Sequence, residues 1–394
     1  MRYEVLKEDA SSHARLGRVE TPHGGFDTPA FMPVGTRGAI KGLTPDQVRA
    51  TGTQILLNNA YHLMLRPGDE LVARRGGVHA FMRWNGPILT DSGGYQAFSM
   101  ADINAIDEEG VTFRSIVDGA RIHLSPERAI AVQNNLGADI IMAFDDCPPA
   151  GDDDADGRAR VQVAHERTVR WLARCVAAHA RSDQALFGIV QGGRDLELRA
   201  ASVSAIAEFD LPGYAIGGVA VGESPAEIRT VVEFTAPRLP ADRPRYLMGV
   251  GYEQDILAAV RAGVDMFDCV LPTRNGRNAQ AFTRGGRLHL RNARFAEDDE
   301  VVEPGCGCCV CSQGFSRAYV RHLFAAREML GPILLSIHNI HHFQVLMLDI
   351  REAIRKDAWS SLFEAWPGLL PGAPPQGRER PLDRESSRQT TRKS

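Results

Sequence analysis

Val264-Asp265-Met266-Phe267-Asp268-Cys269-Val270 is a short apolar run carrying two carboxylates, and Leu271-Pro272 follows it. A strand buried on both faces is otherwise apolar, so a charged residue inside one needs a reason. This run is the last of eight similar segments, at 29–34, 54–59, 87–90, 139–144, 186–191, 214–219, 246–250 and 264–270. Amphipathic stretches with legible helix starts lie between many of them. Thr44-Pro45-Asp46-Gln47 and Ser125-Pro126-Glu127 place a cap and then a proline at the first helical position. Ser224-Pro225-Ala226-Glu227 adds a glutamate three residues after its cap, the pattern of a capping box. Eight buried strands alternating with helices predict an α/β fold of the closed (β/α)8 TIM type. An open doubly wound sheet is the alternative, and the strand count favours the barrel.

Two regions interrupt the alternation. Between 101 and 124, Asp107-Glu108-Glu109-Gly110 and Asp118-Gly119 separate alternating stretches, which read as inserted hairpins. Between 284 and 345 the chain shows a hairpin turn at Arg284-Gly285-Gly286, a cysteine cluster and a helix, which read as a small metal-binding subdomain. A catalytic unit over 1–366 is expected to contain this subdomain. Residues 367–394 are rich in Pro, Gly, Arg and Ser and are expected to be a disordered basic tail, with six basic and three acidic residues from Arg378 onward.

The chain has 394 residues, 44% of them hydrophobic, enough for a large core. No apolar run is long enough to span a bilayer, and Met1-Arg2-Tyr3-Glu4 lacks a signal-peptide core, so a cytoplasmic protein without a membrane partner is expected. The net charge of −4 disfavours a protein that coats nucleic acid but allows a local basic grip on RNA. Four of seven cysteines lie in Cys306-Gly307-Cys308-Cys309-Val310-Cys311, a clustering unlike a disulfide framework. Three of them, Cys306, Cys308 and Cys311, suit a closed tetrahedral zinc site that needs one more ligand; a redox pair, or a cluster with Cys309 as a ligand, is the alternative that the context of the motif disfavours. His322, His338, His341 and His342 are the candidates. Such a site has no open position and would be structural.

The carboxyl ends of barrel strands are where an active site is built. There the sequence offers Asn58-Asn59, Asp91-Ser92-Gly93-Gly94, Asp145-Asp146, Gln191-Gly192-Gly193, Gly217-Gly218, Gly249-Val250-Gly251 and Asp268. Any one could cap the following helix, and for Asp146 that reading is a fair one. Together they call for a polar ligand. Asp91 and Asp268 suit chemistry at a glycosidic carbon, one as nucleophile and one as proton shuttle. Asp145 and Gln191 match the donor–acceptor edge of a guanine-like base: the carboxylate accepts from ring N–H and amine, and the amide donates to a carbonyl. Tyr95 and Met248 could sandwich the ring, although core packing explains Met248 equally well. Leu271-Pro272-Thr273-Arg274-Asn275-Gly276-Arg277-Asn278 reads as a loop whose arginines suit phosphates and unstacked bases.

With these motifs the chain resembles one family, bacterial tRNA-guanine transglycosylase, also called queuine tRNA-ribosyltransferase, from about residue 3 to residue 355. The carriers are Asp91-Ser92-Gly93-Gly94-Tyr95-Gln96, Met142-Ala143-Phe144-Asp145-Asp146-Cys147, Gly188-Ile189-Val190-Gln191-Gly192-Gly193, Gly217-Gly218-Val219-Ala220-Val221-Gly222-Glu223, Tyr246-Leu247-Met248-Gly249-Val250-Gly251, Asp268-Cys269-Val270-Leu271-Pro272-Thr273-Arg274, the cysteine cluster and His338-Asn339. The resemblance implies a zinc-containing barrel that exchanges guanine at the tRNA wobble position for 7-aminomethyl-7-deazaguanine, the prequeuosine base. It implies Asp268 as nucleophile and Asp91 as general acid/base. Asp145, Gln191, Ser92 and Gly218 would read the base, with the Val219 carbonyl near the aminomethyl group. Arg274 and Arg277 would contact the flanking bases of the anticodon loop. Cys306, Cys308, Cys311 and His338 would hold one structural zinc per chain, and the family implies a homodimer.

The chain departs from the family pattern in four places. The run after Cys311 is one residue longer, Asp146 stands where Glu is common, Val219 stands where Leu is common, and the basic tail has no counterpart. Three rival functions fit less well. A non-catalytic RNA-binding barrel would have lost a carboxylate. A sugar hydrolase would not need the guanine-reading Asp and Gln. An enzyme on the archaeal pattern would carry an added RNA-binding domain, for which the tail is too short.

Overall fold

A computed structural model describes residues 1–96, 103–148 and 155–370. Eight parallel strands close into a barrel: β1 (Ala30–Gly35), β2 (Leu56–Asn58), β3 (Ile88–Thr90), β4 (Ile140–Met142), β5 (Ala185–Val190), β6 (Gly213–Ile216), β7 (Arg245–Leu247) and β8 (Met266–Cys269). Neighbours in sequence pair throughout, and β8 returns to β1 with Met266 opposite Ala30 and Asp268 opposite Met32. Each expected segment contains or overlaps its strand. Alternate side chains fill the interior, where Met32, Leu57, Leu89, Met142, Phe187, Ile189 and Tyr246 form one buried cluster. Their neighbours in sequence, such as Leu56, Ile88, Ile141, Leu186 and Val190, pack outward against the helices.

The helix starts form as their sequences require. The Thr44 side chain accepts from the Gln47 N–H while Gln47 returns to the Thr44 N–H, and Ser224 and Glu227 make the same reciprocal pair. Ser125 accepts from the Arg128 N–H. The expected inserted hairpins are a three-stranded antiparallel sheet of Ile103–Ile106, Val111–Arg114 and Arg121–Leu124, with residues 101 and 102 outside the described set. The Arg284-Gly285-Gly286 turn joins Gln280–Thr283 to Gly286–His289. The 27-residue helix Leu330–Lys356 closes the barrel between β8 and β1, stacking Phe343 on Phe31 at 4.8 Å. Residues 371–394, most of the expected tail, lie outside the described residues.

One element had no counterpart in the sequence reading. Arg2–Glu8, Arg15–Thr21 and Gly24–Thr28 form an antiparallel sheet under the amino-terminal end of the barrel. Val19 and Phe26, both fully buried, join the interior cluster and plug that end. Asp265, just before β8, locks the plug in place. It accepts from Arg15 Nη2 at 2.5 Å, Tyr3 Oη at 2.9 Å and the Arg245 N–H at 2.7 Å. Asp139, before β4, contacts His23 Nδ1 at 2.8 Å and His79 Nε2 at 2.9 Å. The two imidazoles stack nearly parallel at 3.5 Å. Parallel rings do not converge their nitrogens on one ion, so this group is a hydrogen-bonded staple on the plug.

Candidate active site

The carboxyl ends of the strands gather the acidic groups at one mouth. Asp91 follows β3 and is 8% exposed. It accepts from the side-chain amide of Asn59, at the end of β2, and from the Ala60 N–H at 2.8 Å. Burial pushes its carboxyl up to about 6, against these two hydrogen bonds, and the charge of Asp268 adds to the rise. Asp268, inside β8, accepts from Tyr246 Oη at 2.6 Å and the Gly249 N–H at 2.8 Å. Burial raises its carboxyl too, while those two donors favour the ionised form. Both carboxylates are thus held by donors at the mouth, and Asp268 takes both of its bonds on one oxygen and keeps the other for a ligand.

Asp145, after β4, is 6% exposed and accepts from Gln191 Nε2, after β5, at 2.6 Å. Burial lifts Asp145 to about 7; Gln191 opposes the rise, and the charges of Asp146 and Asp91 add to it. Gly218 lies against the same amide at φ +61°, and a Cβ there would stand 2.2 Å from Gln191 Oε1. Only glycine brings backbone this close to Gln191. Ser92 is buried, and its Oγ accepts the Gly94 N–H at 3.3 Å. Val219 is buried, Met248 packs half-buried on the interior cluster, and Tyr95 is exposed at the rim.

Asp146 points away from this group. It is fully buried beneath the helix Ala155–Ala178, where Arg160 grips both its oxygens at 2.6 and 3.0 Å and Arg167 adds a contact at 2.6 Å. It is an ion-pair anchor, and none of its side-chain bonds among the described residues is to a helix N-terminus.

The arginine segment is the helix Leu271–Arg277, a correction to the expected loop. Pro272 supplies the first turn, and Gly276 lets the helix press onto Leu330–Lys356, where a Cβ would stand 2.9 Å from the Ser336 nitrogen. Arg274 and Arg277 share one face of it at i, i+3, the first exposed and the second partly buried.

Away from the mouth, Cys306, Cys308, Cys311 and His338 form a group able to hold a metal ion. Their sulfurs lie 3.7, 3.5 and 3.5 Å from His338 Nδ1. A tetrahedral ion with bonds of ~2.3 Å to sulfur and ~2.0 Å to nitrogen separates those donors by about 3.5 Å, so the cage fits. His338 Nε2 lies 2.8 Å from the Phe282 carbonyl, which fixes its N–H there and turns Nδ1 to the thiolates. The other candidates are engaged elsewhere: His341 on the Thr51 carbonyl, His342 on Glu253 and His322 against Tyr319. After Cys311 the short helix Cys309–Ser312 ends, and Gly314 turns the chain at φ +78°.

The family model described as queuine tRNA-ribosyltransferase matches residues 9–368. The chain belongs to that family. Proteins named queuine tRNA-ribosyltransferase from Cyanothece sp. and Thermus thermophilus are 55% and 54% identical to it, over 92% and 90% of this chain and 95% and 90% of the relatives. One of the same name from Syntrophobacter fumaroxidans is 50% identical over 93% of this chain and 96% of its own length. A ribosyltransferase is a pentosyltransferase, so the chain is an enzyme of that class. Among the described residues of this family member, no helix is long and apolar enough to cross a membrane.

Sequence reasoning missed two groups that shape the mouth. Tyr246 holds Asp268, yet in sequence it is one more aromatic in an apolar strand. Arg199 is fully buried and donates to carbonyls of Val190, Gly193, Gly217 and Gly218. Its signal was a lone cation inside the apolar stretch Leu196–Ala207.

Proposed function

We propose that this enzyme exchanges guanine at the wobble position of tRNA for 7-aminomethyl-7-deazaguanine through a covalent ribosyl–Asp268 intermediate. One observation carries the reading. Two charge-coupled carboxylates, Asp91 and Asp268, stand at the same mouth as the Asp145–Gln191 pair that matches a guanine edge. The family's name supports the tRNA and the ribosyl transfer.

The target nucleotide leaves its stack and enters the mouth. An oxygen of ionised Asp268 attacks ribose C1′ as the C1′–N9 bond breaks, and the bonding pair stays on N9. Asp91, raised to about 6, gives N9 its proton. Tyr246 and the Gly249 N–H hold the nucleophile ionised and aimed. Guanine departs and the deazaguanine enters the same pocket. Asp91 takes its N9 proton, N9 attacks C1′, and Asp268 leaves. Two inversions retain configuration, and the kinetics are ping-pong.

The Asp145 carboxylate reads ring N–H and amine, and Gln191 Nε2 has a second N–H for the base carbonyl while the first stays on Asp145. Ser92 and Gly218 complete the reading edge, the Val219 carbonyl faces the aminomethyl group, and Tyr95 and Met248 flank the ring. Arg274 and Arg277 contact the bases beside the target in the anticodon loop. The Cys3His cage holds zinc, which would tie the 284–345 subdomain together and take no part in the chemistry. The catalytic unit spans 1–366, works as a homodimer and resides in the cytoplasm.

The test is incubation with unmodified tRNA and labelled guanine. Label enters the RNA, and unlabelled 7-aminomethyl-7-deazaguanine then drives it out. Failure of metal-replete protein to incorporate label overturns the reading.

A further inference from the structure

Among the described residues Arg199 is the least exposed arginine or lysine, and the exchange chemistry leaves its role open. It sits in the helix Leu196–Ala207 directly behind the base pocket, with no exposed surface. Its guanidinium donates to four backbone carbonyls. Nε reaches Gly193 at 2.9 Å, Nη1 reaches Val190 at 3.0 Å and Gly217 at 2.8 Å, and Nη2 reaches Gly218 at 3.0 Å. None of these bonds goes to a carboxylate, and among the described residues Arg199 forms no ion pair. Burial pulls its pKa down to about 10, and the more distant charges of Cys147 and Glu223 only partly oppose the fall. Desolvating a cation behind the barrel wall is costly, and the four carbonyl acceptors offset that cost only in a fixed geometry.

The carbonyls belong to the two segments that read the base. Val190 and Gly193 bracket Gln191; Gly217 and Gly218 precede Val219. In a planar trans peptide the C=O and N–H point in opposite directions. The carbonyls of Gly217 and Gly218 aim at Arg199, so the N–H groups of Gly218 and Val219 are turned away from it. Gly218 would otherwise be free to flip, having no Cβ, and its φ of +61° is one of several open to it. The planar fork of arginine can hold several acceptors at fixed angles, whereas lysine offers a compact charge on a flexible stem.

We infer that Arg199 is a positioning residue that locks the Gln191 and Gly217–Val219 peptides in their base-reading orientation from behind the pocket. The inference rests on the base-reading assignment above. It acts through those peptides and touches neither ribose nor base.

The experiment compares Arg199→Lys, Arg199→Met and Gln191→Leu in the full-length, metal-loaded enzyme. The readouts are KM and kcat for labelled guanine, tRNA affinity, and the amount of covalent tRNA adduct. KM is read independently of the folded fraction, so a partly folded variant still reports. Both Arg199 variants are expected to raise the guanine KM tenfold or more, with tRNA affinity kept and a smaller loss of kcat. Arg199→Lys, which keeps the charge but loses the fork, should resemble Arg199→Met. Unchanged guanine KM in both overturns the proposal, as does full rescue by lysine, which would make charge alone the requirement. A chain that folds with neither substitution makes Arg199 a residue of the fold, and the proposal fails. If Gln191→Leu also leaves the guanine KM unchanged, the base-reading assignment itself is wrong; if only the Arg199 variants do, that assignment stands.

Discussion

Guanine binding should depend on pH through Asp145, and the structure sets where. Burial lifts this carboxyl to about 7, and only its ionised form offers acceptor oxygens to both the ring N–H and the amine of the base. A protonated Asp145 would present a hydroxyl to a donor edge. The sign is therefore fixed: affinity rises with pH through about 7 and is flat above it. Below that value binding must first remove a proton, which weakens affinity about tenfold per pH unit. At pH 5 the base should bind roughly a hundredfold more weakly than on the plateau, about 2.7 kcal/mol. Calorimetric titration of guanine from pH 5 to 8.5, in two buffers of different ionisation enthalpy, measures both the affinity and the proton released. Asp145→Asn should bind weakly at every pH and lose the slope. A flat wild-type profile, or a slope that survives in Asp145→Asn, would refute the assignment of Asp145 to the base edge.

Four further outcomes follow from the geometry. Asp145→Asn should relax discrimination against adenine, whose ring N1 is an acceptor facing the wild-type carboxylate; exchange of labelled guanine and adenine by both proteins measures this. Tyr246→Phe removes a charge-assisted bond worth about 1.5–3 kcal/mol, so exchange should fall by one to two orders of magnitude, with the acid limb of the rate profile moved to higher pH. Cys308→Ser should lower zinc content and loosen the subdomain, as should loss of His338, whereas His341→Ala and His342→Ala should keep the metal; elemental analysis distinguishes them. Arg15→Met leaves Asp265 buried without its charge partner and should cost about 3–5 kcal/mol in chemical denaturation, with catalysis by the folded fraction intact.

The barrel was legible because its strands are buried on both faces and so read as continuous apolar runs. The amino-terminal sheet was not. In Arg2–Glu8 exposed and half-buried residues alternate, so no apolar run marks it. The polar strand ends could be found from residue type, since Asp91, Asp145, Gln191 and Asp268 interrupt or end apolar segments. Their partners could not, because Tyr246 and Arg199 act through contacts that only the closed ring creates. Asp146 shows the converse error of position. It adjoins Asp145 in sequence, yet successive residues leaving a strand face opposite sides, and it belongs to the arginines of the outer helix. Residue type alone left four histidines open as the fourth ligand of the metal cage, and the fold brings His338 to it. His338 is the one whose second nitrogen a backbone carbonyl claims, leaving Nδ1 for the thiolates.

The covalent step is tested most directly by trapping it. The enzyme is incubated with unmodified tRNA, quenched in denaturant, digested, and the ribosylated peptide is mapped by mass spectrometry. The wild type should yield an RNA–protein adduct on the peptide containing Asp268. Asp268→Ala should yield none while still binding tRNA. An adduct formed by Asp268→Ala at the wild-type level, or one mapped to another residue, would contradict the nucleophile assignment and the double displacement built on it.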